Sequence, residues 1–581
     1  MRIGITFTDI DLLGKRLSLA DAKALLSPLN QIEALRFCAF LSAMNETGLG
    51  PGIAWNIPVD GQRLRALLHD LLPAVHHAKA LRLAASPRPF VPLVTSALRA
   101  LIKLACQWCP PQGGKNLENI RYRQNVAKVL FGLQGALVDR RPIGNADLNW
   151  IYEVFPGMTR YVMSNARLHM SRDIGRLYGI VSRPAIGALL EQRQGGMTVD
   201  AWFNRECGIS GRTYWKIAQA LTGYAGRFTA RLENLNELWL DLVAFQKFFP
   251  GSEQQVWRIL QLAVSTVGEV AGSQNVSDGT TLSDVVYDPN DILVVRPLLR
   301  VGDRYLVTSF DAVFSKFVRG FPYLAHAAAQ NAGVTGDRLH KGARNPTGLI
   351  FEGYARWLTR EWFRESDVKV FCGYQMDIEH ARKEKMEAER DVLVVVGDLA
   401  FPIEVKAKVP TLAARASGDV ISLTTLISHL SLQATTAADA LVSGKCRSED
   451  GTPLPGIRKA YPCVLIFERF PVRFPLSDAF EAELRKKLNR APFKDSSTVG
   501  PLQIFDIDSY EEWDMAFHLP SEIGLLTRAL QKRATTPELR YKSLCEIRNG
   551  EDGLQPSWKS VLDTLCDESE AELTASAGVH P

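Results

Sequence analysis

Residues 389–406 read ERDVLVVVGDLAFPIEVK, two apolar runs joined by Gly397-Asp398. Glycine and aspartate between β-branched runs predict a two-residue turn, so the stretch is expected to fold as an antiparallel hairpin. Counting outward from the turn sets Val392 opposite Ile403, Asp391 opposite Glu404 and Glu389 opposite Lys406. Side chains alternate along a strand, and directly opposed residues share a face. Glu389, Asp391, Glu404 and Lys406 are therefore expected on one face, at one end of the hairpin. A slip of one residue would separate the two strands' charges. Pro402 removes a ladder hydrogen bond from the second run, and a bulge there would alter this register.

Two carboxylates brought that close repel each other, and a divalent cation is the natural remedy. Hard oxygen ligands suit Mg²⁺ or Mn²⁺. A lysine beside them can stabilise developing negative charge or help position a water. Metal-activated water attacking a phosphodiester is the chemistry that this combination suits.

The flanking sequence predicts an α/β arrangement from about residue 345. A helix is expected over TGLIFEGYARWLTREWFRE, with Asn345 as its cap and Pro346 in its first turn. DVKVFCGYQ predicts a strand, followed by the hairpin, a partly helical region over 411–443, the strand YPCVLIF, the helix SDAFEAELRKKL and a strand near LQIFDI. Such mixed order implies a central sheet with helices packed on it.

Asp391 followed, after a hairpin, by Glu404-Val405-Lys406 resembles the PD-(D/E)XK nuclease superfamily. The resemblance covers roughly 345–510. It implies a restriction-endonuclease-like domain with a mixed central sheet flanked by helices, and an Mg²⁺- or Mn²⁺-dependent endonuclease. It assigns metal binding to Asp391 and Glu404, and assistance to the water or the transition state to Lys406. Glu352, on the preceding helix, takes the place of the glutamate that often completes such a site. Gln433 is the candidate for a glutamine found after the E-x-K strand in several branches. Arg390 stands where the motif's name expects proline. Glu389 is read as a neighbour of the site, paired with Lys406, and Lys408 and Arg415 as solvated surface.

The 581-residue chain as a whole is long enough for two to four domains. Residues 1–270 are expected to form a mainly α-helical, basic region that binds substrate or senses a trigger. Residues 271–344 are expected to be a linker with a hairpin turning at Gly302-Asp303 and a helix near 310–329. The nuclease-like domain is bounded at 345–515, and 516–581 is a helical extension whose acidic end is expected to fray. The net charge of +5 hides an asymmetry: 37 Lys+Arg against 27 Asp+Glu over 1–340, and 31 against 36 thereafter. A basic region can grip a polyanion, or its charges can be solvated helix faces.

DAWFNRECGISGRTYWKIAQAL, at 200–221, has the outline of a helix-turn-helix with Gly208 in the turn; DNA reading and plain helix packing are both open to it. Cys106 and Cys109 form a CxxC without a second ligand pair, which argues against zinc. His76-His77 is expected to be structural. No GxxxxGK[ST] occurs, so no P-loop motor is evident. The scattered cysteines and the absence of a long apolar run fit a cytoplasmic protein. The expected partner is nucleic acid, with DNA favoured over RNA, together with a possible homodimer or protein partner. The overall reading is a metal-dependent nuclease, resembling restriction-like or phage-defence effectors in architecture. The alternative is a catalytically silent nuclease fold serving as a DNA-binding or assembly subunit.

Overall fold

The computed structural model describes residues 14–47, 71–84, 94–138, 170–226, 238–321 (apart from 275, 277–278 and 287–290), 337–364, 368–377, 389–407, 420–454, 456–467, 476–488, 491–513, 523–536 and 560–576, together with Thr8, Leu68, His69, Leu544 and Ile547. Lys408 and Arg415 lie outside them. The N-terminal part is helical: α1 (Leu19–Leu26), α2 (Gln31–Thr47), α3 (Ala74–Ala84), α4 (Thr95–Trp108), α5 (Ile120–Val138), α6 (Met170–Ser182), α7 (Pro184–Arg193), α8 (Val199–Cys207) and α9 (Gly211–Gly226). A small sheet follows, built from β1 (Trp239–Leu240), β2 (Val264–Thr266), β3 (Leu298–Val301) and β4 (Arg304–Val307) in the order β1-β4-β3-β2. Its β3–β4 hairpin turns at Gly302, as the sequence predicts. Of the helix expected near 310–329, the described part is a short α-turn at Phe310–Phe314 running into a π-helical turn at Ser315–Arg319, and 322–329 lie outside the described residues.

The larger sheet has the order β11-β10-β7-β6-β5-β8, with β9 paired to β7. Its strands are β5 (Lys369–Met376), β6 (Glu389–Val396), β7 (Leu399–Lys406), β8 (Cys446–Ser448), β9 (Lys459–Ala460), β10 (Cys463–Ile466) and β11 (Gln503–Asp506). β5, β6 and β7 form an antiparallel meander, whereas β7, β10 and β11 run parallel. The parallel pairs need crossovers. These run through α11 (Val420–Val442) and α12 (Leu476–Leu488). The helix α10 (Asp337–Trp362) precedes β5; α13 (Ile507–Glu511), α14 (Ile523–Thr535) and α15 (Val561–Ser576) follow β11. The result is a mixed central sheet with helices on both faces. One face packs Val392, Val394, Phe401, Ile403 and Val405 with Ile350, Phe351, Tyr354 and Leu358 of α10. The other packs Leu393, Val395 and Ala400 with Ala437, Ala438 and Leu441 of α11.

Several expectations change. α10 begins at Asp337, so Pro346 is interior to the helix and Asn345 does not cap it. An interior proline forfeits one i→i−4 hydrogen bond, a loss that the apolar face of so long a helix offsets. The acidic C-terminal segment is ordered through Ser576: α15 buries Leu562 and Leu565. Gly175 and Gly179 of α6 approach Cys566 and Leu565 so closely that side chains there would collide.

The helical region is fastened by charge to the helices that follow the sheet. Arg176 is almost wholly buried and binds Asp173 (2.6 Å), Asp508 (3.0 Å) and both oxygens of Glu511 (2.5 and 2.7 Å). Tyr354 of α10 donates to the same Glu511 carboxylate at 2.8 Å. Arg172 pairs with Glu512, Arg183 with Glu568 and Arg212 with Glu572. Four arginines of the basic first half are thus met by acids of the second half.

α8 and α9 do form a helix pair, with Gly208 in the left-handed turn at φ 72°. Tyr214, Trp215, Ile217, Ala218 and Leu221 of α9 are buried, and Tyr214 donates to the Phe317 carbonyl. Over 211–221 the exposed residue is Arg212, which is ion-paired to Glu572. Over 211–221 α9 packs mainly as a core helix, with Thr213, Lys216, Gln219 and Ala220 half-buried. Cys106 and Cys109 are buried thiols, raised by burial above the ordinary thiol range. His77 meets the Leu72 carbonyl at 2.9 Å, the expected structural role.

Candidate functional site

The hairpin adopts the register that its sequence predicts. Val392 pairs with Ile403, Leu393 with Pro402 and Val396 with Leu399, continuously through the proline. Gly397 supplies the left-handed turn residue at φ 61°. Pro402 lies on a strand flanked by β6 and β10 without introducing a bulge. The register brings Lys406 Nζ to 3.8 Å from Asp391 Oδ2. The same Oδ2 accepts a hydrogen bond from the Val405 backbone N–H at 2.7 Å, which fixes the aspartate across the two strands.

Glu404 is 2% exposed. Burial, then the Asp391 charge, pushes its carboxyl up to about 8. Its Oε1 accepts no hydrogen bond. Arg390 Nε lies 3.6 Å from that oxygen, an electrostatic contact too long for a hydrogen bond. Glu352 of α10 belongs to the same cluster. Burial, then Asp391, raises it to about 7, while Arg356 and Lys406 oppose the rise. Arg356 holds Glu352 Oε1 at 2.5 Å. Neutralising these two acids relieves both desolvation and mutual repulsion, and a bound cation does the same.

Arg390, Glu389 and Tyr374 depart from simple alternation. Between the pairs Cys372–Val392 and Tyr374–Arg390 sit Gly373 and Asp391. Gly373 has φ 92°, a conformation that other residues rarely adopt. Beyond it Tyr374 and Met376 pack with Leu393 and Val395, although Cys372 Sγ reaches the Arg356 carbonyl on the α10 side. Arg390, opposite Tyr374, is thereby turned toward Glu404. Glu389 pairs with Arg193 at the end of α7. Asp391, Glu404 and Lys406 of the expected cluster thus meet Glu352 of α10, with Arg390 beside Glu404 and Glu389 paired to Arg193.

Gln433 sits on α11, one turn before Ala437 on the face that packs on Leu393 and Ala400, and its buried Oε1 accepts no hydrogen bond. Sequence reasoning missed Arg356, Arg193, Tyr374 and Glu449. Arg356 Nη1 and the Glu449 carboxyl both approach the position where a Gly373 Cβ would lie, at 3.4 and 3.5 Å. Arg356 was findable: it lies four residues after Glu352, the helical spacing of an ion pair. Arg193 and Glu449 had no local signal.

The donor set is carboxylate oxygen, which fits a hard divalent cation better than zinc or a soft metal. The orphaned Oε1 of buried Glu404 is where such a cation would restore a partner. Among the described residues no three His, Cys, Asp or Glu side chains stand at metal-binding spacing, so the carboxylates would have to draw together on a cation. Comparison with family models, with curated proteins and with solved structures finds no match for this chain. Among the described residues no helix is long and apolar enough to cross a membrane. Fold and site together define a mixed α/β protein with a buried acidic cluster at one end of its central hairpin.

Proposed function

We propose that this chain is a metal-dependent nuclease hydrolysing phosphodiester bonds, with DNA favoured as substrate. The observation that carries the reading is the meeting of Asp391, Glu404 and Lys406 on one hairpin face, joined by Glu352 from α10. Two acids kept from ionising freely, with a lysine beside them, form a site whose electrostatics call for a divalent cation.

Asp391 and Glu404 would hold Mg²⁺ or Mn²⁺, with Glu352 sharing it or orienting its water. The bound cation supplies Lewis-acid activation of a water and charge neutralisation at the phosphate. The Val405 N–H keeps Asp391 aimed across the strands. Arg390 opposes the negative charge on Glu404 from below. Lys406, more exposed than either acid, is placed to meet the phosphate or the attacking water. Arg356 holds Glu352 in its rotamer.

The experiment is cleavage of plasmid, linear duplex, single-stranded DNA and RNA with Mg²⁺, Mn²⁺ or EDTA, on the wild type beside Asp391→Ala and Lys406→Ala. Metal-dependent cutting that both substitutions abolish supports the reading and names the polymer. Equal cutting by all three proteins refutes it. No cutting of any polymer favours the catalytically silent alternative.

A further inference from the structure

Five carboxylates gather at this end of the sheet: Glu352, Glu389, Asp391, Glu404 and Glu449. Four cations face them: Arg193, Arg356, Arg390 and Lys406. A polyanionic substrate approaching this rim needs these carboxylates neutralised, by protons or by a divalent cation. It also needs cations that can reach it. The Arg356 and Arg390 side chains are 11% and 1% exposed and are held by Glu352 and beside Glu404. The Lys406 side chain is 38% exposed, and the Arg193 side chain 46%. Among the described residues of the cluster, only Lys406 and Arg193 are open enough to touch a phosphate.

Arg193 comes from the helical region, not from the sheet. It ends α7, whose Ile186, Leu189 and Leu190 are buried. α7 docks on α10 at Gly353, next in sequence to Glu352. A Cβ on Gly353 would lie 2.1 Å from the Ile186 carbonyl oxygen, so the two helices touch backbone to backbone. That contact fixes the distance from α7 to the acidic cluster. The guanidinium is held by Glu389 and also feels the charges of Glu352 and Glu449. Both members of the Arg193–Glu389 pair are exposed, and an exposed ion pair holds its partners only weakly. A phosphate, with its doubly accepting oxygens, competes well for a guanidinium against one exposed carboxylate.

We propose that Arg193 is a substrate-binding residue that grips a backbone phosphate next to the scissile one, and that Glu389 holds its place in the substrate-free protein. The inference rests on the nuclease reading and extends it: the helical region supplies part of the substrate site. The bound strand then runs from the acidic cluster toward α7.

The test is fluorescence anisotropy of the full chain with a labelled DNA duplex and a single strand, in Ca²⁺ in place of Mg²⁺ so that binding is read without cleavage. Arg193→Ala should weaken binding several-fold and reduce the log–log salt slope by about one, the signature of one lost phosphate contact. Glu389→Gln should tighten binding. In the Arg193→Ala background the Glu389→Gln gain should vanish, because Glu389 acts through Arg193. In Mg²⁺ turnover, Arg193→Ala should raise KM and leave kcat nearly unchanged. If wild type binds but neither variant changes the salt slope, the pair is only a tie between α7 and the hairpin, and this inference alone is overturned. It is also overturned if Glu389→Gln tightens binding to the same extent with Arg193 absent, which is simple relief of repulsion. If wild type binds neither probe, the inference falls together with the nuclease reading.

Discussion

Replacing Glu404 with glutamine should stabilise the metal-free protein at alkaline pH and leave it unchanged in mild acid. Burial and the Asp391 charge move the Glu404 carboxyl from an ordinary 4.5 to about 8. Between those values the folded protein holds a proton that the unfolded chain has released. Stability therefore falls as pH rises through that window and levels off above it. A tenfold change in proton affinity corresponds to about 1.4 kcal/mol, so the full window has a ceiling of roughly 4–5 kcal/mol. Sharing of charge with Glu352 and Asp391 brings the expected gap down to about 2–3 kcal/mol. Glutamine copies the shape and charge of the protonated carboxyl and leaves Arg390 in the same neutral company. Urea unfolding in EDTA should thus give nearly equal midpoints near about pH 5, with the variant more stable by this gap near about pH 8. Saturating Mg²⁺ should close the gap by stabilising the wild type alone. A variant that is less stable than wild type, and more so at the higher pH, would refute the reasoning. It would mean that Glu404 is the ionised partner of Arg390 and that the pair, not desolvation, sets its charge.

Other consequences follow from the same geometry. Lys406→Met should abolish cleavage while leaving Mn²⁺ affinity within a few-fold of wild type, because the lysine serves chemistry and not coordination; titration of the metal beside a cleavage assay separates the two. Arg176→Met should cost about 3–5 kcal/mol by leaving Asp173, Asp508 and Glu511 buried without a counter-charge. Thermal unfolding reads that loss, and hydrogen exchange should rise in α6. Gly353→Ala should destabilise the α7–α10 contact by about 1–3 kcal/mol or more, because backbone must move to admit the Cβ. Its exchange signature should fall on α7 and leave the β5–β7 meander protected.

The hairpin was legible because three local signals agree: alternation, β-branched composition and a Gly-Asp turn. They place Asp391, Glu404 and Lys406 together before any tertiary contact is known. Glu352 followed from its place on the preceding helix. The order of helices and strands over 345–510 was readable from periodicity, although β8 and β9 were too short to signal themselves. What was not legible depends on a single backbone angle or on distant partners. Gly373 breaks the alternation of β5, which sets Arg390 beside Glu404, and nothing in a strand pattern distinguishes a left-handed glycine from an extended one. The basic half of the chain suggested a polyanion partner. Five of its arginines, at 172, 176, 183, 193 and 212, meet acids from 389 to 572, apart from the local Arg176–Asp173 contact, and pairings at such separations leave no trace in local sequence. The glycine between α8 and α9 marked a helical turn correctly, but the burial of α9 depends on what packs around it.

The most direct test of the acidic cluster is Mn²⁺ binding followed by electron paramagnetic resonance, on the wild type beside Asp391→Asn and Glu404→Gln, without any nucleic acid. Saturable binding by the wild type, lost or weakened at least tenfold in both variants, is the predicted result. Binding that both variants retain at wild-type strength, or no saturable binding by the wild type, would contradict a metal site at this hairpin.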